Sequence, residues 1–208
     1  MTAGRFISLE GGEGAGKSTQ LRALADALRA RGLEVVETRE PGGSEGAEAI
    51  RAMLLTGGAD RWNPRAEALL FAAARADHIE KTIRPALEHG AWVLSDRFLD
   101  SSRAYQGMGD LTDGDIWTLH RIGSGGFLPD RTFYLTLPEA EASARAHRRD
   151  GDAPDRIGGR DRAFHLAVAQ AFDAFVAQDP ARIRAVDASG APESVTMRLV
   201  EQLQDLLP

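Results

Sequence analysis

The sequence predicts an α/β fold in which one parallel sheet is covered by helices on both faces. Short apolar strands alternate with amphipathic helices, a glycine-rich turn joins the first strand to the first helix, and 43% of the 208 residues are hydrophobic. Strands joined through helices run parallel, and sites in such sheets lie at the carboxyl ends of the strands. We therefore expect a five-stranded, three-layer sandwich that forms a single domain over residues 1–208.

The first half of the chain reads as two strand–helix units followed by a long helix. Apolar residues three and four positions apart mark the helices. The predicted elements are a strand over Arg5–Glu10, a helix ended by Gly32, a strand over Leu33–Arg39, a helix that stops at Gly57, and a helix from Asn63 to about His89. Asn63 followed by Pro64 is typical of a helix start, whereas Pro85 should bend or shorten the last turn.

The second half repeats the alternation. The predicted elements are a strand over Trp92–Asp96, a helix over Asp113–Ile122, a strand over Thr132–Leu137, a helix over Pro138–Arg149, a helix over Phe164–Ala177, a strand over Arg182–Asp187, and a helix from Pro192. Between two of these helices, residues 148–162 contain five arginines, glycines and a proline, with Ile157 as the one large apolar residue. This composition predicts a mobile loop.

Composition excludes several kinds of chemistry. The chain has no cysteine, so a disulfide framework, a zinc–thiolate site and a thiol nucleophile are impossible, and its five histidines form no ligand-like cluster. A net charge of -6 argues against a nucleic-acid polymer as the main partner. The chain lacks an apolar run long enough for a membrane span and a signal-like N-terminus, so we expect a cytoplasmic protein without a membrane partner.

A phosphate-binding loop lies between the first predicted strand and helix. Its eight residues fit G-x-x-x-x-G-K-[ST] and are Gly11, Gly12, Glu13, Gly14, Ala15, Gly16, Lys17 and Ser18, with Thr19 following. Backbone N–H groups of such a loop surround phosphate oxygens, and its lysine reaches the β- and γ-phosphates. Ser18 is placed to bind Mg²⁺. A nucleoside triphosphate is therefore the expected phosphoryl donor.

Two charged residues end the third predicted strand. Asp96 follows the apolar run Trp92–Leu94, where a carboxylate facing the metal is expected, and we infer that it acts through metal-bound water. Arg97 comes next, and a guanidinium at this position can bind a second phosphate through two hydrogen bonds. A simple hydrolase needs no such arginine, so a second phosphorylated substrate is indicated.

The order of motifs along nearly the whole chain resembles thymidylate kinase, a family that transfers a phosphate from ATP to dTMP. The resemblance is carried by FISLEGGEGAGKST, TREPGGS, LLFAAAR, SDRF, SSRAYQG and PDRTFYL. The phosphate loop is shared by many families, whereas Glu40–Gly43, Asp96-Arg97 and Tyr105-Gln106 are the specific signals. The resemblance implies ATP with Mg²⁺ as cofactors, dTMP as substrate, and a homodimer.

The resemblance also implies roles for individual residues at the dTMP site. Glu13 lies near the 3′-hydroxyl, Phe71 stacks on thymine, and Arg75 donates to a base carbonyl. The spacing of Phe71 and Arg75 places both on one helix face. Tyr105 excludes a ribose 2′-hydroxyl. The remaining implied contacts are Glu40 and Pro41 in the pocket wall, Arg51 and Arg97 on the acceptor phosphate, and Ser102 and Gln106 as polar pocket residues.

Residues 148–162 resemble the lid of the family, and the resemblance to its bacterial type implies that the lid neutralises the charge on the transferring phosphoryl group. Some members of the family carry an arginine in the phosphate loop, but residues 13–16 of this chain offer none. Arg148, Arg149 and Arg156 are therefore the candidates. This lid departs slightly from the usual pattern, because Gly158-Gly159 stands where an acidic residue is often found, and the identity of the docking arginine stays open.

Two alternatives remain at this point. The same fold could serve another nucleoside monophosphate, or a small hydroxyl compound for which Asp96 would supply the base. A nucleotide-dependent regulatory switch is a different class. Against the switch, Asn63 is the single asparagine, so an N-K-x-D guanine-reading loop is absent.

Overall fold

One parallel sheet of five strands organises the part of the chain that the computed structural model describes, residues 4–58, 60–138, 140–142, 144–145 and 156–208. The strands are β1 (Phe6–Glu10), β2 (Val35–Arg39), β3 (Trp92–Asp96), β4 (Arg131–Thr136) and β5 (Ile183–Asp187). They lie in the order β2-β3-β1-β4-β5, and every pair is parallel. The predicted five-stranded parallel sheet is confirmed, and the chain reverses its direction of growth at β1, where such folds bind ligands.

Helices cover the sheet, and those that the sequence predicts begin close to the predicted positions. They are α1 (Lys17–Arg29), α2 (Glu45–Leu55), α3 (Pro64–His78), α4 (Arg84–Glu88), α5 (Leu99–Gln106), α6 (Asp113–Ser124), α7 (Arg162–Gln178) and α8 (Pro192–Glu201). Residues 140–142 and 144–145 of the predicted helix Pro138–Arg149 are helical, and its last residues lie outside the described part. None of the described helices has the length and apolar character needed to cross a bilayer.

The long helix predicted from Asn63 to about His89 is present with one irregular turn. A π-helical turn, Ile79–Ile83, joins α3 to α4 immediately before Pro85. Proline has no N–H for the usual helical hydrogen bond, so the helix changes its pitch there and then continues. At the other end, Asn63 accepts a hydrogen bond from Ala66 N at 2.9 Å, as its predicted capping role requires.

Helix α5 has no counterpart in the sequence prediction, which left this segment without regular structure. All eight of its residues are buried, and most are polar or charged. A helix surrounded by protein shows no alternation of apolar and polar faces, so periodicity fails to mark it.

A buried ion cluster fixes α5 against its neighbours. Asp100 is fully buried and accepts hydrogen bonds from Arg103 at 2.9 Å and from Arg182 at 2.6 and 3.1 Å. Arg103 also binds Asp113 and lies 3.8 Å from the centre of the Phe175 ring. Buried charges of this kind require such partners. The cluster ties α5 to β5, α6 and α7.

Apolar side chains cover both faces of the sheet, as a parallel sheet requires. The face toward α1 and α8 is formed by aliphatic residues that include Leu9, Leu24, Leu28, Leu135 and Leu199. The opposite face contains two clusters, one around Phe6, Ile79, Ile83, Val93 and Phe98, and one in which Phe172 stacks on Tyr134 with ring centres 4.8 Å apart. The sheet is therefore rigidly held, and its strand ends form a fixed platform.

His120 makes the fold sensitive to acid. Burial, with a smaller contribution from Arg75, lowers the pKa of this imidazole to about 4. The unfolded chain binds a proton below about pH 6.5, whereas the folded chain resists it until about pH 4, so the free energy of unfolding falls as pH falls between these values. We expect a loss of roughly 3 kcal/mol from this group, measured by urea denaturation at each pH.

Replacing His120 with glutamine removes the group that takes up the proton. His120→Gln should be less stable at pH 7 and should show a smaller loss between pH 6.5 and 4, while the exposed control His89→Gln should keep the wild-type loss. An unchanged pH dependence in His120→Gln would contradict the assignment.

Candidate active site

A cavity of about 940 Å³ opens at the carboxyl ends of β1 and β3. Its walls come from the phosphate loop, the β2–α2 connection, α3, α5, residues 157–158 and the segment after β5. The volume lies at the upper end of ligand pockets, which is consistent with more than one small ligand. Candidate donor and acceptor residues therefore share a single cavity.

The phosphate loop has the predicted strand–turn–helix setting. Gly16 caps α1 with φ of 87°, a left-handed conformation that glycine adopts without strain. Residues 13–20 line the cavity, whereas Gly11 and Gly12 lie behind it and accept hydrogen bonds from Lys17 Nζ at 3.1 and 2.8 Å. Burial, with the nearby Arg97 charge, lowers the pKa of Lys17 to about 8. A buried cation beside the N-terminus of a helix is an environment that suits a phosphate chain.

The two predicted metal ligands lie together. Ser18 donates a hydrogen bond to Asp96 Oδ2 at 2.5 Å, although 78 residues separate them in sequence. Both side chains face the cavity. No group of three or more metal-ligating side chains occurs among the described residues. Two oxygen donors beside a phosphate site fit Mg²⁺, which prefers oxygen and usually takes few ligands from the protein.

Arg97 is held from several sides at the centre of the cavity. Its guanidinium donates to Glu13 Oε1 at 2.6 Å, to Gly11 O at 3.1 Å and to Ser101 Oγ at 3.0 Å, and it lies 5.0 Å from the Tyr105 ring centre. Its φ is 73°, and it is the one non-glycine residue with positive φ in the described ranges. That conformation costs about 1 kcal/mol or more and often marks functional positions.

Arg75 is fixed by hydrogen bonds to two side chains in a buried network. Its Nε donates to Glu40 Oε2 at 2.8 Å and its Nη2 donates to Ser102 Oγ at 2.6 Å. Glu40 also contacts His78 Nδ1 at 3.1 Å, and His78 Nε2 lies 2.6 Å from Thr38 Oγ1. Glu40 is expected in the pocket wall from the sequence resemblance. Its hydrogen bond to Arg75 shows that it also orients this arginine.

The predicted neighbours Phe71 and Arg75 both line the cavity, one helical turn apart. The other lining residues that the sequence indicated are Glu13, Glu40, Pro41, Arg51, Ser102, Tyr105 and Gln106. Arg51 donates to the Pro41 carbonyl at 2.6 Å. The Tyr105 hydroxyl is buried and has no hydrogen-bond partner within the described part of the chain. An apolar ring face, fixed guanidinium groups and amide donors suit a planar base joined to a phosphate.

The lid arginines have different positions. Arg148 and Arg149 lie outside the described residues. Arg156 is not among the residues that line the cavity; its Nη2 donates to Glu67 at 2.6 Å and its Nε donates to Leu54 O at 2.9 Å. Arg160 binds the same carboxylate at 2.9 Å, and Gln106 donates to it at 3.1 Å. In this arrangement Arg156 attaches the segment that contains Ile157 and Gly158 to α2 and α3.

The fold brings two residues to the site that were not predicted from the sequence. Arg145 lines the far end of the cavity with Ala188, Gly190, Pro192 and Val195, and donates to Ala188 O at 3.4 Å. The second is His78, which supports Glu40. Neither residue lies in a recognisable motif, so sequence offered no signal for them.

Comparisons with known proteins agree on one family. Residues 9–199 match the family model described as thymidylate kinase. A thymidylate kinase of Rhizorhabdus wittichii is 65% identical over 206 residues, 99% of each chain. One from Bradyrhizobium diazoefficiens is 47% identical over 208 residues, which cover 99% of this chain and 91% of the relative. The crystal structure of thymidylate kinase from Ehrlichia chaffeensis superposes with a TM-score of 0.75 at 30% identity, covering 97% of this chain and 99% of that one.

The strained backbone at Arg97 can be separated from the function of its side chain. Both Arg97→Gly and Arg97→Ala remove the guanidinium, but only glycine adopts a φ of 73° easily. We expect the glycine variant to be more stable than the alanine variant by about 1 kcal/mol, measured by chemical denaturation. Equal stabilities, or a more stable alanine variant, would show that the backbone is unstrained.

Proposed function

The chain belongs to the thymidylate kinase family, and on this basis we propose how its residues transfer the γ-phosphoryl group of ATP to dTMP. The reaction is the ATP-dependent phosphorylation of dTMP to dTDP. Another acceptor or a regulatory switch is not favoured by these relatives. The observation that carries the residue assignment is that one cavity is lined both by the phosphate loop and by Phe71, Arg75 and Arg97.

The transfer step requires no general base from the protein. An oxygen of the dTMP phosphate attacks the γ-phosphorus of ATP, the bond from that phosphorus to the β,γ-bridging oxygen breaks, and ADP leaves with the electron pair. A phosphate monoester has a second pKa of about 6, so the attacking oxygen is already largely deprotonated at pH 7. The protein must bring two anions together and keep them in line.

The donor side is formed by the phosphate loop. Backbone N–H groups of residues 11–19 and the α1 N-terminus surround the phosphates, and the Lys17 ammonium binds the β- and γ-oxygens. Ser18 and Asp96, which lie within hydrogen-bond distance of each other, would hold Mg²⁺. When bound, the ion supplies positive charge that offsets the phosphate oxygens.

The acceptor side is formed by α2, α3 and α5. Arg97 and Arg51 bind the dTMP phosphate, Phe71 stacks on thymine, and Arg75 donates to a base carbonyl. The hydrogen bonds of Arg75 use Nε and Nη2, and Nη1 has no partner among the described residues, so it is suited to this contact. Tyr105 lies where it can exclude a 2′-hydroxyl. Glu13 lies near the 3′-hydroxyl, while Glu40, Pro41, Ser102 and Gln106 complete the wall.

Lid arginines neutralise the transferring group and exclude water. Among the candidates, Arg148 and Arg149 are the preferred catalytic residues, because Arg156 is bound to Glu67 and Leu54. With its side chain 1% exposed, Arg156 is better suited to anchoring the lid than to reaching the phosphates.

We further propose that the protein is a homodimer. Leu69 on α3 is 56% exposed and Ile122 on α6 is 79% exposed, although both are large aliphatic residues. The two helices pack through small residues, with Gly123 beside Ala72 and Ala76. Together these residues give an apolar surface that a second copy could cover. The expected cytoplasmic location remains a prediction.

An acceptor series tests the proposed function. ADP formation should depend on dTMP and exceed that with dUMP, UMP, CMP, AMP and shikimate. Lys17→Met should fold normally and lower turnover by about two orders of magnitude or more, because it removes the cation that binds the donor phosphates. Comparable rates with UMP would refute the acceptor assignment, and near-normal turnover in Lys17→Met would refute the donor assignment.

The dimer is tested at its proposed surface. Sedimentation velocity should give twice the mass of one chain for the wild type and the mass of one chain for Ile122→Glu, since a buried unpaired carboxylate opposes association. Leu166→Glu, on α7 and 54% exposed, is the matched control and should stay dimeric. Dimeric Ile122→Glu would place the interface elsewhere.

A further inference from the structure

A buried carboxyl group that the proposed reaction does not use lies beneath the phosphate loop. Glu10 is the last residue of β1, is 0% exposed and is not among the residues that line the cavity. Its Oε1 accepts a hydrogen bond from Phe98 N at 2.7 Å, and its Oε2 is hydrogen-bonded to the Ser101 hydroxyl. Phe98 immediately follows Arg97 and Ser101 lies four residues after it, so Glu10 contacts the segment that presents that arginine.

The backbone around Arg97 is held by hydrogen bonds from β1 and from β3, the strand that precedes it. Its N–H donates to Leu9 O at 2.9 Å, and its carbonyl accepts from Ser95 Oγ at 2.7 Å. The next N–H, that of Phe98, donates to Glu10. A non-glycine residue at a φ of 73° persists only when its surroundings enforce that conformation. The Glu10 contact is one of the three bonds that do so.

Glu10 also reaches the Arg97 side chain through one hydroxyl. Ser101 Oγ accepts from Arg97 Nη1 at 3.0 Å and is hydrogen-bonded to Glu10. In addition, α5 begins without a capping side chain of its own, since Phe98 at its N-cap makes no such bond. The carboxyl group of Glu10 on β1 accepts the N–H of this N-cap residue, one of the N–H groups that a helix start leaves without an intrahelical partner.

The protonation state of the Glu10 carboxyl group suggests a conservative substitution. Burial, reinforced by the neighbouring Asp100 charge, raises the pKa of Glu10 to about 8. The group therefore carries its proton for most of the time at pH 7. Glutamine has the same shape, an acceptor oxygen for Phe98 N and a donor for Ser101, and is the conservative replacement.

We propose that Glu10 is a positioning residue, which holds Arg97 in its left-handed backbone conformation and directs its guanidinium toward the acceptor phosphate. The proposal deepens the proposed function, since it assumes that Arg97 binds dTMP. Glu10 does not line the cavity and is linked to Arg97 through Ser101, so its loss should affect dTMP rather than ATP.

Crystal structures and kinetics of Glu10→Ala and Glu10→Gln test the proposal. We expect Glu10→Ala to move Arg97 out of positive φ, to lower kcat/KM for dTMP about tenfold or more, and to change the KM for ATP about twofold at most. Glu10→Gln should retain the Arg97 conformation and stay within about threefold of the wild type in kcat/KM. Should Glu10→Ala fail to fold, Glu10→Asp, one methylene shorter, should show the same effects.

Ser8→Ala separates positioning from a loss of stability. Ser8 lies on the same strand, is fully buried and shares a 2.8 Å hydrogen bond with Thr132, without contact to Arg97. It should lose stability and keep wild-type kinetics. The proposal is overturned by a Glu10→Ala or Glu10→Asp structure with Arg97 unmoved, or by either of these two variants being as active as Ser8→Ala. If the wild-type protein shows no dTMP-dependent turnover, the proposed function is refuted. The crystal structures of the Glu10 variants still decide whether Glu10 holds the Arg97 backbone.

Discussion

The pairing of β1 with β3 determines where the two phosphate-handling segments lie. Leu9 and Asp96 are paired across the two strands. The phosphate loop therefore leaves the sheet beside Asp96 and Arg97, and Ser18 meets Asp96 after one short turn. Backbone hydrogen bonds between adjacent parallel strands define this register. The distance between the donor and acceptor regions is thus set by the sheet, and loop side chains only refine it.

Positive charge is placed near the cavity before any substrate binds, and three of the arginines in this region are each held by a carboxylate. Arg97 is paired with Glu13, Arg75 with Glu40, and Arg156 with Glu67. A partly buried arginine without such a partner would be unfavourable, whereas a paired one is desolvated and correctly oriented in advance. Preorganised charge of this kind is the main source of rate enhancement where two anions react. Glu10 extends the same arrangement into the core, because it fixes the backbone on which Arg97 is mounted.

Features that depend on local sequence could be predicted, and those that depend on distant contacts could not. The order of strands and helices, the phosphate loop, Asp96-Arg97 and the Phe71–Arg75 spacing all follow from patterns within a few residues. Helix α5 was missed because its polar residues are buried by partners far away, such as Arg182 on Asp100, 82 residues apart. The roles of Glu10 and His78 and the Arg156–Glu67 pair were missed for the same reason. Long-range partners satisfy these groups, and a single sequence carries no record of such pairs.

The shared carboxylate of Glu67 limits how this region can change over evolution or in engineering. Three donors on two different segments, Arg156, Arg160 and Gln106, converge on it. Replacing Glu67 alone removes the carboxylate that the buried Arg156 guanidinium contacts at 2.6 Å, and replacing Arg156 alone removes one of the donors to that carboxylate. Acceptable variation at the lid base therefore requires simultaneous exchange of several positions, for example to a wholly apolar set of similar volume. A different lid grafted onto this fold would therefore require a matching residue at position 67.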